Sequence, residues 1–439
     1  MSLHSNYSVS VRFMKYKKME TLKKRRQKKI NVDLGYNKIG QKKDITGGFM
    51  LNRERLREIA EEMMTKEILP FWLRIIDREN QGFYGLVRSD ATVDKLAPKG
   101  VILHSRILWT FSEAFLMTSE QTYLQAAKHA YQFLLDQAMD QQRGGLYWLL
   151  DYKGSVNETC KHSYNQAFGI YALSTYYLAS ADEKALETAM DLFRLLEARW
   201  RTPIGYREQL TIDFQPDVNK KLSENGCIAE MTMNTMLHIM EAYTVLFEAT
   251  ESDEVREALR FSITILTKDM YNPEKKRLEV FFDSQMHTLL DLHSYGHDME
   301  ASWLIDRALD VLGDPGLSRE ISPITKTLFD HVMQTAFTDR GVYFECEDGK
   351  TDTKRDWWVQ AESVVGIIND MQKGSSEEIG MNQVEQLLSF VEKEVKSETG
   401  EWYWSTYEDG THDNKRELAG PWKCPYHNAR MCLEILKRM

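Results

Sequence analysis

A short glycine-plus-aromatic segment recurs six times along this chain, about every sixty residues, and few folds accommodate such a rhythm. The copies are Gly82-Phe83-Tyr84-Gly85, Gly145-Leu146-Tyr147-Trp148, Gly205-Tyr206-Arg207-Glu208, Leu278-Glu279-Val280-Phe281-Phe282, Gly341-Val342-Tyr343-Phe344 and Gly400-Glu401-Trp402-Tyr403-Trp404. Their starts lie 63, 60, 73, 63 and 59 residues apart. Several are followed by a turn signal: Asp151-Tyr152-Lys153-Gly154, Glu347-Asp348-Gly349, Glu408-Asp409-Gly410. Aromatic and branched residues beside such turns predict short strands or hairpins. A fixed period of this length marks one supersecondary unit per repeat, which must stack on its neighbours to bury its apolar face.

Between the copies, apolar residues recur at i, i+3, i+4 and i+7. This predicts paired helices over 104–117 and 120–139, 163–179 and 183–199, 230–249 and 253–270, 294–312 and 317–336, and 357–371 and 381–396. Some of the first members are apolar nearly all round, as expected of an inner ring; the second members are more charged on one face. Two helices per unit and six units make about twelve helices. Closing them into a ring buries both sets, whereas an open solenoid leaves its end repeats uncovered. The expectation is an all-α (α/α)6 barrel over residues 50–439, with the short β-hairpins collected at one mouth. A linear solenoid is the structural alternative.

Charge narrows the partners. The net charge is −10, but residues 1–50 hold 13 Lys/Arg against 3 Asp/Glu, and the remaining 389 hold 43 against 63. A body that acidic argues against nucleic acid or an anionic membrane. Residues 1–49 read as a basic, disordered N-terminal extension, or as sequence ahead of a start at Met50. No apolar run spans a membrane, and no secretory signal opens the chain. Cys160, Cys227, Cys346, Cys424 and Cys432 are odd in number and lack C-x-x-C spacing, which suits a reducing, cytoplasmic setting and offers no zinc site.

Four of the 11 histidines sit among unusual neighbours: His104, His238, His297 and His427. His297 opens a helix, with Glu300 on the same face at i+3, where a carboxylate can fix an imidazole tautomer. The structural reading is a helix-start histidine bonded to backbone. Asn234 and His238 share a face at i, i+4. His427 follows an irregular stretch, Gly420-Pro421-Trp422-Lys423-Cys424-Pro425-Tyr426, of the kind that presents functional groups. Trp109, Trp303, Trp357, Trp358 and Trp422 fall near the same helix starts. Singly they read as core; together, beside His and Arg, they suit the flat C–H faces and hydroxyls of a sugar.

Five segments, Arg106-Ile107-Leu108-Trp109-Thr110-Phe111-Ser112, Asn234-Thr235-Met236-Leu237-His238, Ser294-Tyr295-Gly296-His297-Asp298-Met299-Glu300-Ala301-Ser302-Trp303, Trp357-Trp358-Val359-Gln360-Ala361-Glu362 and Trp422-Lys423-Cys424-Pro425-Tyr426-His427-Asn428, together resemble the cellobiose 2-epimerases of the N-acylglucosamine 2-epimerase superfamily. The resemblance covers nearly all of 50–439. Met236 stands where many members carry a second His, Met299 replaces a usual Ile and Val359 a usual Pro. The resemblance implies a catalytic domain that inverts C2 of the reducing-end glucose of a β-linked disaccharide, taking cellobiose to glucosyl-mannose and lactose to epilactose. It implies His297 and His427 as the acid/base pair, with His238 assisting ring opening or binding the enediolate. Arg106 would neutralise developing charge; Tyr164, Asn234, Glu300 and Trp303 would bind or orient the sugar; Trp358 and Trp422 would stack on it. No metal or other cofactor is expected, and the enzyme would act on a small disaccharide as a monomer or weak homodimer. Open alternatives are an N-acylglucosamine or mannose 2-epimerase or isomerase, a glycoside hydrolase, and a non-enzymatic sugar-binding protein.

Overall fold

The computed structural model describes residues 51–222 and 225–439; the basic extension lies outside the described residues. Twelve helices are present among them. α1 runs Arg53–Glu62 and continues through a π-helical turn, Met63–Ile68, into Leu69–Arg74. The others are α2 (Val101–Thr118), α3 (Gln121–Phe133), α4 (Ser163–Ser180), α5 (Glu183–Arg199), α6 (Met233–Thr250), α7 (Asp253–Thr264), α8 (Tyr295–Leu312), α9 (Pro315–Thr335), α10 (Trp357–Gln372), α11 (Glu377–Phe390) and α12 (Tyr426–Arg438).

The even-numbered helices form the inner ring. Each packs on the next, and α12 returns to α2, so the ring closes. This is the (α/α)6 barrel, not the open solenoid. The two sets differ as their sequences do. In α4, 17 of 18 residues are buried, so it has no solvent face. α5 buries only a stripe, Ala185, Thr188, Ala189, Leu192, Phe193 and Leu196, at helical spacing. The sixth pair joins the chain's two ends: α1, from the N-terminal side, packs outside α12. Arg57 donates to the Leu436 carbonyl at 2.6 Å across that seam.

Four inner helices end on a left-handed residue, Ser119, Ala181, Glu251 and Gly313. The outer helix begins two residues later each time. These tight reversals make every inner helix run the same way and start at the same mouth. There, the strand preceding an inner helix pairs with a strand of the following repeat: Lys99 with Leu150, Lys161 with Leu210, Thr232 with Phe281, Ser294 with Glu345, and Asp356 with Ser405. A Val87–Ala419 bridge completes the circle. The recurring glycines sit beneath it. Phe83 N–H donates to His104 Nε2 at 2.9 Å, and Gln166 and Gln360 clasp both main-chain groups of Leu146 and Val342. Gly82 and Gly341 have φ of +65° and +96°, and a Cβ there would stand 2.7 Å from His104 Nε2 or 2.5 Å from Gln360 Oε1. Positive φ and close approach together require glycine. Buried pairs Lys99–Asp77, Lys161–Asp140 and Lys423–Glu401, at 2.8, 2.7 and 2.9 Å, pin the loops.

Candidate active site

The inner helices start around a cavity of about 210 Å³ that reaches into the barrel. Arg106, Tyr164, Asn234, His238, His297, Glu300, Trp358, Trp422 and His427 all line it. A larger groove of about 760 Å³ lies on the outer wall between α1 and α11 and contains no histidine.

His427 opens α12. Its Nδ1 lies 2.7 Å from Glu362 Oε1, on the first turns of α10. A carboxylate accepts only, so Nδ1 carries the hydrogen and Nε2 keeps its lone pair. Burial, followed by the Arg430 and Arg106 charges, pushes the imidazole well below the usual histidine range. His297, in the first turn of α8, is half-buried. Its Nδ1 meets Ser294 Oγ at 2.7 Å, and burial with the nearby His238 lowers its pKa to about 3. Trp358 joins the two: its ring centroid lies 4.8 Å from that of His297 and 5.5 Å from that of His427. Gly296 makes this possible, since a Cβ there would stand 2.5 Å from the Trp358 ring.

His238 on α6 holds Glu241 Oε2 through Nδ1 at 2.9 Å and packs edge-on to Tyr164. Asn234, one turn earlier, has an Oδ1 without a partner. Arg106 donates to the Tyr164 hydroxyl at 2.7 Å and to the Trp422 carbonyl at 3.5 Å, with its guanidinium over Phe168 and Tyr426. A fixed cation of this kind favours anionic oxygen nearby. Trp422 packs on other aromatics, 5.6 Å from Trp148 and 5.9 Å from Tyr164.

Behind the histidines stands Arg430, one turn beyond His427 and 1% exposed. It bonds Glu241 Oε1 and Glu362 Oε1, each at 2.7 Å, and also Glu300 Oε1 and the Tyr426 hydroxyl. Tyr426 in turn donates to Glu241 Oε2. Burial alone would raise the Glu241 carboxyl, but Arg430 and His238 outweigh it and hold it at about 2. Glu300, Glu362 and His427 present ligand atoms within 4.8 Å of one another, the one grouping among the described residues with metal-like spacing. The Arg430 guanidinium already supplies the cation that their carboxylates face.

Two expectations need correction. Glu300 does not fix His297; it turns to Arg430, and Ser294 takes the imidazole. A guanidinium offers a charge-assisted bond that a neutral ring cannot match. Trp303 does not line the cavity. It is 1% exposed, donates from Nε1 to Glu362 Oε2 at 3.0 Å and supports Arg430, so it braces the site from behind. His104 is structural, with Nδ1 on the Gly100 carbonyl and Nε2 on Phe83 N–H. Trp109 stacks on Tyr171 in the core, and Lys423 is buried against Glu401. Sequence reasoning missed Glu241, Glu362 and Arg430. A signal was there: His238, His297 and His427 are each followed at i+3 by a charged residue, Glu241, Glu300 and Arg430.

The profile of the N-acylglucosamine 2-epimerase family matches residues 82–430. The chain is 42% identical over 385 residues to a cellobiose 2-epimerase of Ruminococcus albus, covering 87% of this chain and 98% of that one. It is 26% identical over 407 residues to a D-mannose isomerase of Marinomonas mediterranea, with 87% and 98% covered. The structure of a cellobiose 2-epimerase from Bacillus thermoamylovorans superposes with a TM-score of 0.85 at 40% identity, covering 88% of this chain and all of that one. A GH76 α-mannanase, at 9% identity and a TM-score of 0.58, shares the fold alone.

Proposed function

The chain belongs to the N-acylglucosamine 2-epimerase family, and from that premise we propose that it inverts C2 of the reducing-end glucose of β-1,4-linked disaccharides through ring opening and a cis-enediol intermediate. Cellobiose would become glucosyl-mannose, and lactose epilactose. Sugar 2-epimerisation itself follows from the relatives; the disaccharide and the intermediate are our reading. The observation that carries it is the pair of imidazoles, His297 and His427, beside one tryptophan ring in a cavity that also holds Arg106.

The C2 proton is weakly acidic and leaves only when C1 is an open-chain carbonyl. Ring opening therefore comes first and moves a proton from the anomeric hydroxyl to the ring oxygen; His238 is the third imidazole available for it. One of His297 and His427 then removes the C2 proton, and the other returns one to the opposite face. Both imidazoles have depressed proton affinity, so each is a base in the resting protein. The imidazolium formed loses its proton to water, and the partner gains one from water before C2 is reprotonated. Arg106 offsets negative charge as it develops on the O1/O2 side.

This relay makes a definite prediction. Cellobiose incubated in D2O should give the mannose-type reducing end by NMR, with deuterium at C2. Release of free glucose would indicate hydrolysis instead. Turnover of mannose or N-acylglucosamine without cellobiose would move the substrate to a monosaccharide.

A further inference from the structure

We propose that Glu300 is carried as a neutral carboxylic acid and that its Oε2–H is the proton donor to O1 of the open-chain sugar when C2 is deprotonated. The proposal rests on the epimerase reading above, and on the hydrogen bonds of the buried carboxylates behind the histidines.

Those carboxylates are not equivalent. Glu362 receives three N–H donors over both oxygens, from His427, Arg430 and Trp303. Glu241 receives Arg430 on one oxygen and His238 with Tyr426 on the other. Each is saturated as an anion should be. Glu300 receives only Arg430, on Oε1; its Oε2 is buried and without a partner in a residue that lines the cavity. Glu300 itself is 0% exposed. A single guanidinium faces all three groups. An anionic Oε2 that is buried and unbonded is costly, whereas a protonated one is a donor awaiting an acceptor. The groups facing Glu300 are Arg430, Tyr426 and His427 on α12, Glu362 on α10, Glu241 and His238 on α6, and Tyr164 on α4. Burial, with Glu362 and Glu241, raises its pKa against the pull of Arg430 and His238; burial raises Glu362 as well, and there the three N–H donors favour the anion.

The step balances. The C2–H bond breaks as an imidazole N–H forms, C1=C2 forms as the C1=O π bond opens, and O1 takes the Oε2 proton. A neutral enediol and the Glu300 carboxylate result. O1 returns that proton when C2 is reprotonated, with water exchanging the imidazole protons as above.

Infrared difference spectra of the unliganded protein, wild type minus Glu300→Gln, test the protonation whatever the substrate proves to be. A carboxylic-acid C=O stretch belonging to Glu300 at neutral pH is expected. Glu208, which burial pushes up to about 8, cancels in that difference. Absence of the Glu300 stretch overturns the proposal. Independently, wild-type kcat/KM for the epimerised sugar should fall about tenfold per pH unit on an alkaline limb that Glu300→Gln lacks. An identical limb in both would also overturn it. Should Glu300→Gln not fold, the acid band is titrated in Glu208→Gln instead. Glu362, which burial also raises, is removed there by a further Glu362→Gln; a band that persists at neutral pH then supports the proposal, and its absence overturns it.

Discussion

His427 and His297 lie against one tryptophan ring and are held in opposite ways. His427 is fastened through Nδ1 to a buried carboxylate that is itself gripped by Arg430 and Trp303. His297 leans on a serine hydroxyl, which can donate or accept. The first arrangement fixes one tautomer and leaves Nε2 as a standing base; the second allows either. A reversible inversion needs a base on each face, but it does not need both to be equally rigid. The largest test removes them in turn. His427→Ala and His297→Ala should each lower kcat for cellobiose by about 10²–10⁴-fold with melting temperature little changed. Near wild-type turnover in either variant breaks the pairing.

The supports should separate the two more sharply than the rings do. Glu362→Gln replaces a charge-assisted bond of about 1.5–3 kcal/mol, so kcat should fall about 10- to 150-fold. Ser294→Ala removes a neutral bond of about 0.5–1.5 kcal/mol, so the fall should be about 2- to 12-fold. Equal losses in steady-state kinetics would mean that the hydroxyl holds His297 as tightly as the ion network holds His427.

Much of this is legible in the sequence, and the rest is hidden for a definable reason. The barrel shows in the repeated glycines, because Gly82 and Gly341 answer a local need for positive φ beside an inner-helix side chain. α1 escapes because it stands ahead of the first glycine mark and finds its inner partner, α12, only at the far end of the chain. Histidines and aromatics at helix starts are readable, since helical spacing says which residues share a face. It does not say which partner wins. Arg430 meets carboxylates 68, 130 and 189 residues away, on three other helices. The pairing of Glu300 with His297 fails for that reason: the face is right, but a cation from a distant helix outcompetes the neighbour.

Proton affinity offers the next comparison. The neutral imidazole is the base, and it persists above the group's own pKa in the folded protein. Because burial lowers His297 to about 3 and His427 well below the usual range, acid should not remove the base form until well under pH 6.5. At pH 5.5 an unperturbed imidazole is only about one-tenth neutral. The acid limb of kcat/KM should therefore lie below that point, with most activity kept at pH 5.5. A limb near 6.5 would show that at least one of the two rings is less desolvated in solution than in the fold.

The smallest effect separates Trp358 from Trp422. Trp358 touches both histidines, so it flanks whichever sugar ring reacts. Trp422 packs instead on Trp148 and Tyr164 and on neither of these histidines. A second sugar ring extends away from the imidazoles once C2 lies between them. Stacking suits this outer ring, because an aromatic face tolerates changes in hydroxyl orientation and so admits cellobiose and lactose alike. Aromatic contacts contribute about 0.5–1.5 kcal/mol beyond area burial, or about 2- to 13-fold in binding. Trp422→Ala should lower kcat/KM for cellobiose by such a factor and leave that for glucose or mannose nearly unchanged. Trp358→Ala should lower both by similar factors, since it acts on the reacting ring. If Trp422→Ala depresses monosaccharide and disaccharide alike, both rings serve the reacting sugar. Any preference for a disaccharide then has to come from other residues of the cavity wall, with Trp404, Lys221 and Glu345 the first to vary.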